Sequence, residues 1–305
     1  MNRTGRAPMP RLERLTDGVY AHVQPDGGWV LSNGGFLPGG KGGIVIDTTG
    51  TEERNRSLIE QTAAIDPHPV RLVINTHHHG DHTYGNAMFD KADILAHRAC
   101  RDEIITAGLS MQSMFPMVDW GHVEVRPPTM AFDGQHTIWH GDTELQLLHL
   151  GPAHTKGDIV VWLPEQRIMF TGDLVMGGVT PFSGMGTGRG LMATLGKLQD
   201  LRPRIIVPGH GSVGGPELLQ DQIDYLQWLL KIAQDGRTAG LEPLELAREV
   251  DLGAYAEWPC SERLVANLHR AYFEVADEPL PPVDRARAFK EMAILAGVPD
   301  LVSHA

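Results

Sequence analysis

Thr76-His77-His78-His79-Gly80-Asp81-His82 is the most informative segment of this chain of 305 residues. It follows residues 70–75, a short apolar run that predicts a buried strand. On an extended backbone alternate side chains share a face, so His77 and His79 can point at one metal ion. A turn at Gly80 can direct Asp81 and His82 toward a second ion. Imidazole and carboxylate groups are the ligands that zinc and similar metals prefer.

Three further segments each present one possible ligand directly after a predicted strand. His154 lies in GPAHTKGD, after the run ELQLLHL, and Asp173 lies in FTGD, after the run RIM. His210 lies in PGHG, after the run RIIV. Strand ends that converge on one edge of a sandwich hold side chains rigidly enough for metal geometry. The sequence therefore predicts that these residues join the segment at 76–82 in one metal centre.

The rest of the chain alternates strand-like and helical runs in two halves, followed by a mainly helical region. Such an order predicts an α/β domain. We expect a loose N-terminal tail over residues 1–16 and one sandwich domain over 17–215. Residues 216–305 are expected to form a C-terminal helical extension packed on the same domain.

Composition and charge limit the kinds of partner that we expect for this protein. The net charge is −12, and Lys and Arg are scattered rather than grouped into the basic stripe of a nucleic-acid enzyme. No apolar run approaches the roughly 18 residues of a membrane span, and two cysteines in a chain of this size are typical of a reduced compartment. We expect a cytoplasmic enzyme for a small-molecule or acyl-carrier-linked substrate, with no nucleic-acid or membrane partner. The oligomeric state stays open.

The ligand order resembles that of metallo-β-lactamase fold hydrolases over about residues 17–215. The pattern H-x-H-x-D-H is followed by a lone His, an Asp after a strand and a second lone His, and Asp47 matches an earlier structural Asp of that family. The resemblance implies an αβ/βα sandwich with two divalent metal ions, zinc first, iron or manganese as alternatives. It implies these ligands: His77, His79 and His154 for the first ion, Asp81, His82 and His210 for the second, and Asp173 bridging both.

The resemblance also implies a reaction. A metal-activated hydroxide would attack a carbonyl substrate, and Asp81 would act as the catalytic residue by passing a proton to the leaving group. Phrases such as GGWVLSNGGFL, GDLVMGGVTPF and ERLVANLHRA look like the aromatic polyketide cyclase and thioesterase branch. That likeness implies thioester hydrolysis or ring closure on an aromatic polyketide-type substrate.

Other functions remain open at this point. A lactonase, a β-lactamase-like enzyme or a glyoxalase-like hydrolase of a smaller ester, lactam or thioester would use the same ligands. Asp173 separates the chain from the lactamase subclasses that place Cys there. A mononuclear iron oxygenase is the alternative from another class, and metal analysis separates it from a dinuclear hydrolase.

Two irregular segments, residues 109–120 and 175–192, are expected to line an apolar cleft above the metals. Flexible Met side chains suit an adaptable pocket wall, and glycines let the second segment move. Tyr84 follows the metal segment and could donate to a developing oxyanion. The predicted substrate contacts are Tyr84, Met111, Met114, Phe115, Met117, Trp120, Phe182 and Met185.

Overall fold

The computed structural model describes residues 6–281 and 284–305. The strands are, in chain order, β1 (Arg11–Thr16), β2 (Val19–Val23), β3 (Gly34–Leu37), β4 (Ile44–Ile46), β5 (Leu72–Ile74), β6 (Asp93–His97), β7 (Met130–Phe132), β8 (Gln135–His140), β9 (Thr143–Leu148), β10 (Val160–Leu163), β11 (Ile168–Phe170), β12 (Met176–Gly177), β13 (Ile205–Val207) and β14 (His210–Gly211). The helices are α1 (Glu52–Ile65), α2 (Gly80–Thr83), α3 (Arg98–Ala107), α4 (Ser110–Met114), α5 (Gly188–Asp200), α6 (Glu217–Ala239), α7 (Pro243–Glu249), α8 (Arg263–Val275) and α9 (Arg285–Ala296).

The strands form two main sheets. The first has seven strands in the order β1 to β7, antiparallel up to β4 and parallel from β4 onward. The second has five strands in the order β13-β11-β10-β9-β8. β12 and β14 add a short parallel pair beside it. Among the described residues, no helix is both long enough and apolar enough to cross a membrane.

Alternation along the strands builds the layers. In β4, Ile44 and Ile46 join the core between the two sheets, whereas Val45 packs with Leu58 of α1 on the outer face. In β10 the same alternation places Val161 between the sheets. Successive side chains of a strand point to opposite faces, so a strand buried on both sides reads as continuously apolar.

Helices complete the sandwich on the far side of the second sheet. Met169 of β11 and Ile206 of β13 share a core with Leu195 of α5 and Leu226 of α6. Within residues 216–305, helices α7 and α8 pack against α6, and α9 packs against α7 and α8. The layers therefore run helix, sheet, sheet, helix, as the α/β prediction requires, and the C-terminal helices extend the last layer.

The prediction of a loose tail as far as residue 16 is wrong for Arg11–Thr16. This segment forms β1 and pairs antiparallel with β2. Upstream of it, the Arg54 guanidinium donates a hydrogen bond of 3.3 Å to the carbonyl of Ala7. Pairing between strands satisfies backbone groups that a free tail would leave to water. Residues 1–5 lie outside the described residues.

Candidate metal centre and cleft

Strand direction brings the predicted ligands to one edge. β9 and β11 each run antiparallel to β10, and β13 runs parallel to β11. The ends of β9, β11 and β13 therefore point the same way, and they are followed by His154, Asp173 and His210. The end of β5 in the other sheet supplies the segment at 76–82. All seven predicted ligands meet in two adjoining clusters.

The first cluster contains His77, His79, His154 and Asp173. His79 Nδ1 lies 3.1 Å from His77 Nε2 and 3.1 Å from His154 Nε2. Asp173 Oδ2 lies 3.5 Å from His154 Nε2 and 3.8 Å from His77 Nε2. Three imidazole nitrogens and a carboxylate oxygen therefore converge on one point.

The second cluster contains Asp81, His82 and His210. His210 Nε2 lies 3.2 Å from Asp81 Oδ2 and 3.6 Å from Asp173 Oδ1. His82 Nε2 is 3.1 Å from Asp173 Oδ1, yet both atoms are buried without a hydrogen-bond partner of acceptable geometry. Asp173 thus presents one oxygen to each cluster, the placement that a bridging carboxylate requires.

In His154 and His210, the hydrogen bond made by Nδ1 determines whether Nε2 is free to bind a metal. His154 Nδ1 is 2.9 Å from the Phe182 carbonyl, and His210 Nδ1 is 3.1 Å from the Gly28 carbonyl. A carbonyl only accepts, so both Nδ1 atoms carry the proton and donate. In the neutral rings the Nε2 lone pairs then face the clusters, which is the usual arrangement of metal-binding histidines.

Asp47 holds the segment at 76–82 in place through hydrogen bonds to Thr76 and His82. One carboxylate oxygen accepts from the Thr76 backbone N–H at 2.7 Å. The other accepts from the Thr76 hydroxyl at 2.6 Å and from His82 Nδ1 at 2.9 Å. Burial raises the pKa of the Asp47 carboxyl, and the contacts with His82 and Thr76 oppose that rise. Asp47 therefore orients the ring of His82 without belonging to either cluster.

The electrostatics differ between the two clusters. At His82 burial lowers the pKa, but the carboxylates of Asp173, Asp47 and Asp81 outweigh burial and hold the pKa well above the usual value. Burial, with neighbouring imidazoles, holds the pKa of His77 and His79 well below the usual value. A metal binds the neutral imidazole, so these rings need lose no proton at neutral pH. The converging imidazole nitrogens and carboxylate oxygens, together with the unpartnered atoms of His82 and Asp173, fit a pair of divalent metal ions.

An apolar cleft opens above the two clusters. Six of the eight predicted substrate contacts line it, namely Tyr84, Met111, Met114, Phe115, Phe182 and Met185. The Tyr84 hydroxyl accepts a hydrogen bond of 3.2 Å from the Met111 backbone N–H. Burial raises the pKa of Tyr84 to about 12, so its phenol stays neutral and able to donate.

Two predicted contacts lie away from the cleft. Met117 is 86% exposed, because it follows Pro116 after the end of α4 and its side chain points to solvent. Trp120 is buried behind Tyr84, with ring centroids 5.7 Å apart, and donates its indole N–H to the Phe115 carbonyl. The prediction that these two residues line the cleft is therefore wrong.

Four lining residues were not among the predicted substrate contacts. Trp29 lies before β3, and its ring packs at 5.4 Å from Phe182 and 6.0 Å from Phe289. Arg263, Arg285 and Phe289 come from α8 and α9. These helices close one side of the cleft, so the C-terminal extension contributes to the site although it holds none of the predicted ligands.

Comparisons with known proteins agree with this architecture. Residues 27–210 match the model of the family described as the metallo-beta-lactamase superfamily. A relative called metallo-beta-lactamase type 2, from Bacillus sp. (strain 170), is 27% identical, covering 74% of this chain and 84% of that protein. A linear primary-alkylsulfatase from Pseudomonas sp. (strain ATCC 19151) is 23% identical, covering 84% of this chain and 59% of that protein.

A solved structure supports the fold. The metallo-beta-lactamase from Pontibacter korlensis superimposes with a TM-score of 0.60 at 23% identity, covering 72% of this chain and 99% of that one. The family match spans more than half of the chain, from Gly27 to His210. The chain therefore belongs to the metallo-beta-lactamase superfamily, and it is a metal-dependent hydrolase.

Proposed function

We propose that this enzyme is a dinuclear zinc hydrolase that cleaves the thioester of a bulky aromatic acyl group, with ring closure of a polyketide-type chain as a related outcome. The observation that carries the proposal is the cleft directly above the metal clusters. Its walls are built from Met side chains and from the rings of Trp29, Phe115, Phe182 and Phe289. Rings placed in this way suit a flat aromatic ligand.

The predicted ligands have definite roles in this proposal. His77, His79 and His154 would hold one ion, Asp81, His82 and His210 the other, and Asp173 both. Two divalent ions held close together lower the pKa of a water molecule toward neutrality and polarise a carbonyl oxygen.

The protein's own groups would direct the reaction. Asp81 Oδ2 is 3.2 Å from His210 Nε2 and faces the cleft, where it can carry a proton to the leaving thiolate. The neutral phenol of Tyr84 lines the same cleft and can donate to a developing oxyanion. The apolar side chains of the walls would offer few hydrogen bonds to water in the rest of the cleft.

A β-lactamase-like activity is the second candidate. The relative from Bacillus sp. carries the name metallo-beta-lactamase and is aligned over 234 residues. A lactam is a small substrate, so the aromatic walls of the cleft would matter less to it than to a bulky acyl group.

The Met residues near α4 provide a matched pair of variants for the test. Met114 lines the cleft, and Met117, three positions later, is 86% exposed. We expect Met114→Glu to lower kcat/KM for a naphthoyl thioester of N-acetylcysteamine by about 10-fold or more, because it places a charge where an apolar ring should bind. Met117→Glu should change it by less than about 2-fold.

An acetyl thioester and a penicillin complete the assay. Met114→Glu should leave turnover of the acetyl compound nearly unchanged, since that compound reaches the metals without filling the cleft. Equal losses on the naphthoyl and acetyl thioesters would contradict the proposed substrate. Turnover of penicillin well above that of both thioesters would favour the lactamase alternative.

A further inference from the structure

A buried arginine in the wall of the cleft is not used by the proposed chemistry. Arg263 is the first residue of α8 and is only 1% exposed. It lines the same cleft as the metal ligands Asp81, Asp173 and His210. Its position lies beyond residues 27–210, where the family match ends.

The charge of Arg263 is only partly compensated. Nη1 donates a hydrogen bond of 2.9 Å to the Thr180 carbonyl, and the guanidinium carbon lies 4.2 Å from the centre of the Trp29 ring. Within the described part of the chain, no carboxylate comes within 4.0 Å of the Arg263 nitrogens, and Nε is buried without a hydrogen-bond partner. A buried charge normally has an ionic partner, because removing it from water costs several kcal/mol.

The surroundings favour an anion from outside the protein. Among the residues that line the cleft, the only acidic ones are Asp81 and Asp173, which belong to the metal clusters. Arg285, the first residue of α9, adds a second positive charge at the rim. This concentration of positive charge is notable in a chain with a net charge of −12.

The planar shape of the Arg263 guanidinium indicates which kind of anion it would bind. A guanidinium is planar and presents several donors in one plane, which matches the two oxygens of a carboxylate. Arg263 lies against Trp29, whose ring also packs with Phe115 and Phe182. A flat ring among these aromatic residues could therefore direct a carboxylate at Arg263 while its thioester faces the metals.

We propose that Arg263 is a specificity-determining residue that binds a carboxylate carried by an aromatic substrate. The inference rests on the proposed function in one respect, namely that the substrate occupies the cleft above the metals. It adds that the substrate carries a negative charge, which the metal ligands alone do not determine.

Arg263 also contacts the segment at 175–192, so its loss could act through that segment alone. Arg270 lies on the same helix and donates from Nε to the Gly186 carbonyl of this segment at 2.9 Å, but it does not line the metal cleft. Arg270→Met is therefore a matched control for a purely structural role. Arg263→Met keeps the length of the side chain and removes the charge.

The first experiment measures binding rather than turnover. Calorimetric titration of the zinc-loaded protein with 2-naphthoate and with neutral 2-naphthamide should give a Kd for each. We expect Arg263→Met to weaken naphthoate by about 10- to 100-fold, the range for a charge-assisted hydrogen bond, and naphthamide by less than about 3-fold. Arg270→Met should affect both by less than about 3-fold. Equal weakening of the two ligands by Arg263→Met, or the same pattern in Arg270→Met, would overturn the inference.

Arg263→Lys covers the case in which the Met variant fails to fold. It keeps the charge but not the planar set of donors, so naphthoate should bind several-fold more weakly and naphthamide as in the wild type. Unchanged naphthoate affinity in this variant would overturn the carboxylate role. If naphthoate is discriminated but no thioester is hydrolysed, the proposed function fails and the carboxylate site stands.

Discussion

Replacement of Asp47 by Asn tests whether the metal centre depends on the group behind it. Asp47 accepts three hydrogen bonds through two oxygens, and it contacts His82 but no other predicted ligand. The Asn amide nitrogen cannot face the Thr76 backbone N–H, because both groups only donate. It must therefore take the position of the oxygen that now accepts from His82 Nδ1.

The substitution therefore affects the second cluster, to which His82 belongs. With a donor opposite Nδ1, His82 is forced to accept there and to carry its proton on Nε2, the atom that lies 3.1 Å from Asp173 Oδ1. A protonated Nε2 cannot bind a metal. We expect one of two zinc ions to bind about 10- to 100-fold more weakly, as for other groups that orient a ligand. Loss of charge-assisted hydrogen bonds should also lower the free energy of unfolding by about 2–4 kcal/mol.

Competition with a chromophoric chelator measures zinc affinity, and urea denaturation measures stability. Asp66→Asn is the control, because Asp66 is also buried and accepts from the backbone of Gly39 at 2.8 Å and His68 at 3.0 Å. That variant should lose stability and keep both zinc ions. If Asp47→Asn loses stability but binds two zinc ions with wild-type affinity, the reasoning about the tautomer of His82 is refuted.

Two further predictions concern a glycine and a buried histidine. A Cβ at Gly209 would lie 2.0 Å from Asp173 Oδ1, so Gly209→Ala should displace that carboxylate and weaken zinc by at least about 10-fold in the same chelator assay. Gly196→Ala in α5, where nothing lies within 4 Å of the new Cβ, should bind zinc normally and gain about 0.5–1 kcal/mol; normal zinc affinity in both would contradict the steric argument. Burial, with Arg54 nearby, lowers the pKa of His22 to about 3. The unfolded chain then takes up a proton before the folded one as the pH falls below about 6.5, and stability is lost. Between pH 7 and pH 5 the wild type should lose about 2 kcal/mol more than His22→Leu in urea denaturation, and equal losses would show that His22 does not titrate in this way.

The predicted ligands could be found from the sequence because each follows a short apolar strand within a few residues. His154, Asp173 and His210 needed only the assumption that successive strand ends meet at one edge, and parallel pairing of β11 with β13 provides it. Helix α1 begins after Thr51, whose side chain caps it by accepting from the Arg54 N–H.

The residues of the cleft walls were harder to predict from the sequence, because their positions depend on tertiary packing. Met114 and Met117 stand in the same short segment, yet α4 ends after Met114 and the chain then turns, leaving one side chain in the cleft and the other in solvent. Phe289 reaches the cleft only through the packing of α9 on α8. Similarly, the partly exposed edge strand β1 is defined by its pairing with β2, which its own residues do not reveal.

Both candidate metal centres draw ligands from the two sheets. His77 and His79 follow β5 in the first sheet, whereas His154 and Asp173 belong to the second, and His82 is paired with His210 in the same manner. Each bound ion would act as a reversible cross-link between the two halves of the sandwich. The unfolded chain holds no preformed site for the ion, so the free energy of binding each ion would add to the free energy of unfolding. The same ions would thus serve both the reaction and the fold. Part of the free energy of unfolding of this chain would come from its metal centre.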